Sequence, residues 1–68
     1  MTFKDLKNMQ GMTNGEIARA SGVPQDTVAA LSRGITSPGN MRLETALRLA
    51  KAFNLELEEF CDRLEVTY

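Results

Sequence analysis

The sequence predicts an all-α fold of five short helices. Apolar residues recur at three- and four-residue spacing, capping signals precede helical segments, and alanine and leucine are frequent while β-branched runs are absent. Of the 68 residues, 43% are hydrophobic, which is ordinary for a folded domain and too high for a disordered tail. We therefore expect a single domain over residues 1–68.

The first helix is predicted at residues 3–9. Thr2 and Asp5 have the spacing of a capping box, in which each side chain accepts a hydrogen bond from the other residue's backbone amide. Phe3 and Leu6 then lie on one face, and Gly11 provides the left-handed residue that ends many helices.

A second helix is predicted at residues 14–21. Thr13 and Glu16 form another capping box ahead of it, and Ile17 gives the helix a buried edge. Gly22 follows at a tight turn, where a positive φ is required and glycine adopts it at little cost.

A third helix is predicted at residues 24–33. Pro24 suits its first position, where no amide hydrogen is needed, and Val28 and Leu31 face inward. The opposite, solvent side then carries Gln25, Asp26, Ala29, Ala30 and Arg33. Two short helices crossed over a glycine turn are the helix-turn-helix motif, which presents its second helix to the major groove of DNA. DNA binding is therefore the working hypothesis.

Two more helices are predicted, at residues 42–53 and 56–64. The first has an apolar face formed by Leu43, Ala46, Leu47, Ala50 and Phe53, and the second has one formed by Leu57, Phe60, Cys61 and Leu64. Asn40 is expected to cap the fourth helix and Asn54 to take the left-handed position after it. Residues 35–41 form the loop before the fourth helix.

Composition argues against several classes of protein. One cysteine and no histidine exclude an internal disulfide and an ordinary zinc site, and we expect neither a metal nor a cofactor. No stretch approaches the roughly 18 apolar residues of a membrane-spanning helix, and the first residues lack the core of a signal peptide, so a cytoplasmic protein is expected. Without histidine, an enclosed carboxylate pair or a glycine-rich phosphate loop, an enzyme is not expected.

The net charge of −1 is unevenly distributed. Residues 1–52 carry seven Lys or Arg and four Asp or Glu, a net +3, whereas residues 53–68 carry one Arg and five acids, a net −4. Because phosphate binding needs a positive surface, DNA binding requires the acidic end to point away from the duplex. A mildly acidic protein-interaction domain is the alternative, and charge alone does not separate the two.

The order of these segments resembles the lambda-repressor-like DNA-binding domains, the Cro/repressor or XRE type of helix-turn-helix regulator. Residues 12–23, MTNGEIARASGV, are similar to the apolar-Thr-Gln-x-Glu-Leu-Ala-x-x-x-Gly-Val run of that family. Residues 43–53 resemble its fourth helix and residues 55–60 its fifth, so the resemblance runs from Leu6 to Phe60.

The resemblance implies that residues 24–33 form the recognition helix. Asn14 stands where relatives carry a glutamine that contacts a phosphate, and the backbone near Arg33 and after Gly34 would contact a second stretch of phosphates. The expected DNA-binding residues are Thr13, Asn14, Pro24, Gln25, Asp26, Thr27, Ala29, Ala30, Arg33, Thr36 and Ser37.

The chain also departs from the family pattern. The loop between Gly34 and Leu43 is about three residues longer than the common one. Lys7 and Ser32 stand where relatives carry an arginine and an acidic residue, so the ion pair of those relatives is not expected.

Two interpretations stay open for the main polar side chains. Gln25 either pairs with adenine or is an exposed first-turn residue, and Asp26 either accepts from cytosine N4 or is only favoured by the helix dipole. Arg33 either contacts a phosphate or guanine, or is a favourable cation at a helix end. Ala29 and Ala30 offer thymine methyl contacts without a hydrogen-bond code.

The function expected from these residues is a sequence-specific transcriptional regulator of double-stranded DNA, a repressor that acts by occupying its operator. Val66 and Tyr68 extend apolar surface beyond the last helix, so a homodimer through the C-terminal region and a palindromic site are expected. The alternative is a protein-interaction module that keeps the fold with weak or no DNA binding.

Overall fold

The computed structural model describes residues 1–66, which form α-helices and no β-strand within that range. The helices are α1 (Phe3–Gln10), α2 (Asn14–Ser21), α3 (Gln25–Ser32), α4 (Leu43–Ala52) and α5 (Leu57–Leu64), with one turn of 3-10 helix at Pro38–Asn40. The predicted all-α class is confirmed, and every predicted helix is found with its ends within one residue.

Both predicted capping boxes are formed. The amide of Asp5 donates to Oγ1 of Thr2 at 3.1 Å, and the amide of Thr2 donates back to the Asp5 carboxylate at 3.2 Å. The corresponding distances between Thr13 and Glu16 are 3.2 Å and 3.0 Å. In each box the backbone amide of the threonine, followed by its hydroxyl, lowers the pKa of the carboxyl below its ordinary value, because these hydrogen bonds favour the charged form.

The predicted left-handed residues end the helices as expected. Gly22 has φ +76° where the chain leaves α2, and Asn54 has φ +59° after α4. At Gly22 the turn is tight because Val23, two residues after Ser21, is already buried and donates its amide to the Ser21 hydroxyl at 3.1 Å. The positive φ at Gly22 therefore decides the direction in which α3 leaves α2.

The hydrophobic core lies where all five helices meet. Phe53, at the end of α4, packs edge-on against Phe3 of α1 with ring centroids 5.8 Å apart and stacks on Phe60 of α5 at 6.1 Å. Val28 and Ile17 bring α3 and α2 into the same core, and both are fully buried. No polar or charged residue among residues 1–66 is buried.

The predicted apolar face of α4 is partly wrong. Leu43 and Leu47 are 49% and 42% exposed, whereas Leu49 is fully buried. Because α4 packs between α2 and α5, its buried stripe runs through Ala46, Leu49, Ala50 and Phe53. Leu43 and Leu47 lie one turn apart on the edge beside that stripe.

Two predicted caps are also corrected. Asn40 does not cap α4, since its amide closes the 3-10 turn by donating to the Ser37 carbonyl at 2.9 Å, and the extended residue before α4 is Arg42. Pro24 precedes α3 as its N-cap instead of forming its first residue, because its ψ of 139° is extended while its carbonyl accepts from the amides of Thr27 and Val28.

The end of the chain differs from the prediction as well. Val66 does not extend a bare apolar surface, because it is half-buried against the core and its amide donates to the Cys61 carbonyl at 2.9 Å. Tyr68 lies outside the described residues. Within residues 1–66, no helix combines the length and apolar character needed to cross a membrane.

Candidate nucleic-acid interface

The outer side of α3 is exposed at its two ends and partly covered in its middle. As predicted, Val28 and Leu31 point into the core. The exposed residues on or beside the helix are Pro24, Gln25, Asp26 and Arg33, whereas Thr27, Ala29 and Ala30 are half-buried. The two alanines are less exposed than the sequence suggested because α1 and α2 both pack against α3. The result is a helix face with polar ends and a middle of short side chains.

The first turn of α2 lies beside this face. A Cβ placed on Gly15 would be only 3.9 Å from Nε2 of Gln25, so the Gln25 amide lies directly against the start of α2. Thr13 and Asn14 precede Gly15 at this end of α2, where unpaired backbone amides and the helix dipole favour an anion. Three of the predicted residues, Thr13, Asn14 and Gln25, are thus brought together.

Asn14 is held by side chains from two other helices. Its Oδ1 accepts a hydrogen bond from the Lys7 ammonium at 3.2 Å and one from the Ser32 hydroxyl at 2.9 Å. From the sequence, Lys7 and Ser32 are predicted only not to form an ion pair with each other. The contact between them is made instead through a neutral side chain on a third helix, a tertiary arrangement that sequence spacing does not reveal.

A second polar surface lies beside the first turn of α3. Thr27 and the Gly22 turn line a shallow cavity together with Arg42, just before α4, and Arg48, in the middle of α4. Within α4, Arg48 donates at 2.7 Å to the carboxylate of Glu44, four residues earlier in the chain. Neither Arg42 nor Arg48 belongs to the predicted DNA-binding set, although their positive charges lie next to Thr27.

Two predicted residues lie elsewhere. Thr36 and Ser37 line another cavity with Thr2, Asp5 and Glu65, at the start of α1 and the end of α5. The chain reaches this position because the amides of Ile35 and Thr36 both donate to the Ala30 carbonyl, which folds the loop back over the end of α3. The structure therefore does not bring Thr36 and Ser37 next to Asn14 or Gln25.

The acidic end of the chain is carried by α5, which packs against α1 and α4. Its only basic residue, Arg63, is paired with Glu59 at 3.0 Å, and Glu65 pairs with the amino group of Met1 at 3.3 Å. The outer side of α3 is bordered instead by the first turn of α2 and the start of α4. The acids of α5 thus lie on a different element from the residues that flank the outer side of α3, whereas Glu65, which follows α5, lines one cavity with Thr36 and Ser37.

Other chemistry is sparse in residues 1–66. No three His, Cys, Asp or Glu side chains in this range are grouped so as to hold a metal ion. Cys61 is half-buried on α5, and burial raises the pKa of its thiol, which keeps it protonated and weakly nucleophilic.

Comparison with known families agrees with this geometry. A helix-turn-helix family model matches residues 3–60, from the first residue of α1 to the buried Phe60 of α5. No individual curated protein and no solved structure matches the chain. The matched family is one of DNA-binding regulator domains and not of enzymes. The chain therefore belongs to the XRE or lambda-repressor-like family of helix-turn-helix DNA-binding regulators.

Proposed function

We propose that this protein binds a specific sequence in double-stranded DNA and represses transcription by occupying its operator. In this proposal α3 enters the major groove, where its residues face base edges: Pro24, Gln25, Asp26, Thr27, Ala29 and Ala30. The proposed contacts to one stretch of phosphates come from Thr13 and Asn14, and those to a second stretch come from Arg33, Thr36 and Ser37, which lie apart from Asn14. Operator occupancy needs no further chemistry, since a bound protein excludes other proteins from the same site.

The observation that carries the proposal is the position of the first turn of α2 against the exposed side of α3. The amide of Gln25 lies beside Gly15, so a groove-facing side chain and a helix N-terminus suited to phosphate share one surface. Phosphate contacts fix the register of a protein on DNA, whereas base contacts specify the sequence. A surface that combines both is what sequence-specific binding requires.

The alternative, a protein-interaction module with weak or no DNA binding, draws on Asp26. This carboxylate is exposed at the start of α3, where it repels nearby phosphates unless it accepts from cytosine N4. Ala29 and Ala30 supply no hydrogen bonds to bases. Under this alternative, the same face would bind a protein surface.

Salt dependence separates the two functions. We expect the protein to bind, in a gel-shift assay, a duplex selected from a random pool. The logarithm of its binding constant should fall linearly with the logarithm of the salt concentration, because a protein that contacts phosphates releases counterions when it binds. No duplex binding at about 50 mM salt, with the protein folded, would contradict the proposal and favour the protein-interaction module.

Gln25→Ala tests the proposed base contact on the selected duplex. A bidentate glutamine–adenine pair contributes about 1–3 kcal/mol of discrimination, so the variant should lose preference at one base position, roughly 5- to 150-fold, and keep its weaker nonspecific binding. An equal loss on all sequences would assign Gln25 to phosphate contact instead.

A further inference from the structure

The contact between α1, α2 and α3 at Asn14 has a consequence for DNA binding beyond the residues proposed above. Lys7 has only donors to offer, so the atom of the Asn14 carboxamide that it approaches must be the oxygen. The Ser32 hydroxyl donates to the same oxygen from the far end of α3. The orientation of the Asn14 carboxamide is therefore fixed from two sides.

The amide nitrogen of Asn14 is left available. Within residues 1–66, Nδ2 makes no hydrogen bond. Every buried side-chain nitrogen or oxygen in this range has a hydrogen-bond partner, so Nδ2 is not one of the buried atoms. Nδ2 is consequently not fully enclosed, and no acceptor in the described part of the chain takes either of its protons. It does so from the first residue of α2, the helix end that favours an anion.

We propose that Lys7 and Ser32 are positioning residues, which hold the Asn14 carboxamide so that Nδ2 donates to a DNA phosphate. An asparagine side chain is shorter than the glutamine of relatives and must be aimed to reach the same oxygen. Lys7 and Ser32 aim it, and the Lys7 ammonium polarises the carboxamide and so strengthens Nδ2 as a donor. This inference rests on the proposed DNA binding.

Ser32→Ala is the variant that tests this role, because it removes one hydrogen bond to Asn14 without changing the charge. We expect it to weaken binding of the selected duplex by about 2- to 10-fold, the range of one hydrogen bond. In an Asn14→Ala background the same substitution should cost nothing further, since nothing remains to be positioned. Ser32→Thr, which keeps the hydroxyl, should restore most of the affinity.

Lys7→Met and Asn8→Ala complete the set. Lys7→Met should weaken binding more than Ser32→Ala, with part of its loss persisting in the Asn14→Ala background because a charge near phosphate is also removed. Asn8 is an exposed asparagine of α1 next to Lys7, so Asn8→Ala is the matched control and should leave the affinity for the duplex unchanged. Thermal unfolding of each variant verifies that it is folded.

A measurement on the protein without DNA separates the positioning role of Lys7 and Ser32 from the proposed DNA binding. In nitrogen-15 NMR relaxation, the Asn14 side-chain NH2 should be ordered in the wild type and more mobile in Ser32→Ala. Equal mobility of the Asn14 and Asn8 carboxamides, or equal losses of affinity from Ser32→Ala in both backgrounds, would overturn the positioning role while leaving DNA binding intact. Failure of the wild type to bind any duplex would instead overturn the proposed function, and the phosphate role of Asn14 with it.

Discussion

At the scale of single residues, the carboxylates that matter for folding are those of the capping boxes. The Glu16 carboxylate accepts a hydrogen bond from the backbone amide of Thr13. This hydrogen bond is the main reason why the pKa of the Glu16 carboxyl lies below its ordinary value. The folded protein therefore holds a proton on Glu16 less strongly than the unfolded chain does. The stability that Glu16 contributes is present above the ordinary glutamate pKa of about 4.3 and is lost as the pH falls through the lower folded value.

Glu16→Gln should remove this pH dependence, because glutamine still accepts the hydrogen bond but does not titrate. We expect the difference in unfolding free energy between wild type and Glu16→Gln to be largest near pH 6 and to shrink on acidification towards pH 3, as measured by urea unfolding. Glu58→Gln, on the first turn of α5 without a capping box, is the control. Wild-type and Glu16→Gln curves that stay parallel over this range would show that the box contributes nothing by ionisation.

At the scale of helices and turns, the angle between α2 and α3 depends on one backbone conformation. Gly22 has φ +76°, and a methyl group there would meet nothing closer than the Arg48 guanidinium at 3.8 Å, an ordinary contact. The cost of Gly22→Ala is therefore one of backbone conformation and not of space.

We expect Gly22→Ala to lower the free energy of unfolding by about 1–2 kcal/mol, the penalty of a left-handed conformation for a residue with a Cβ. Gly39→Ala is a matched control, since Gly39 has no positive φ and its Cβ would also meet one side-chain atom at 3.8 Å. Chemical denaturation should find Gly39→Ala close to wild type. Equal effects of the two substitutions would mean that the turn at Gly22 is not what sets the crossing of α2 and α3.

Local signals in the sequence predicted the helices well, because caps and glycine turns act within a few residues. They failed where a choice depended on distant partners. In α4 the leucines at 43, 47 and 49 are equally apolar, and only the positions of α2 and α5 decide that Leu49 is the buried one. The same holds for the candidate site. Gln25 follows from the helix pattern and Asn14 from the family resemblance, whereas the contacts of Lys7 and Ser32 with Asn14 join residues on three different helices.

At the scale of the whole molecule, size bears on how two copies would sit on DNA. The Cα atoms extend over 26 × 24 × 21 Å. Packed helices approach to about 8–10 Å between axes, so the Cα shells of two touching copies are separated by roughly 5 Å. Two copies side by side would then have centres about 26–31 Å apart. This is close to the roughly 34 Å between major-groove sites on one face of the duplex.

Val66 packs on the core of its own chain, so we propose the homodimer through the C-terminal region on the match between these two distances. Such a dimer should bind two inverted half-sites one helical turn apart with cooperativity. Sedimentation with the selected palindrome should give two copies per duplex and little of the singly bound species at micromolar protein. Inserting 5 base pairs between the half-sites turns them to opposite faces of the DNA, and cooperativity should disappear while binding to each half-site remains. Inserting 10 base pairs should also abolish it, because half-sites on the same face are then about 68 Å apart, beyond the reach of two touching copies. A protein that binds all three duplexes independently, one copy at a time, would refute the dimer without affecting the DNA-binding role of α3.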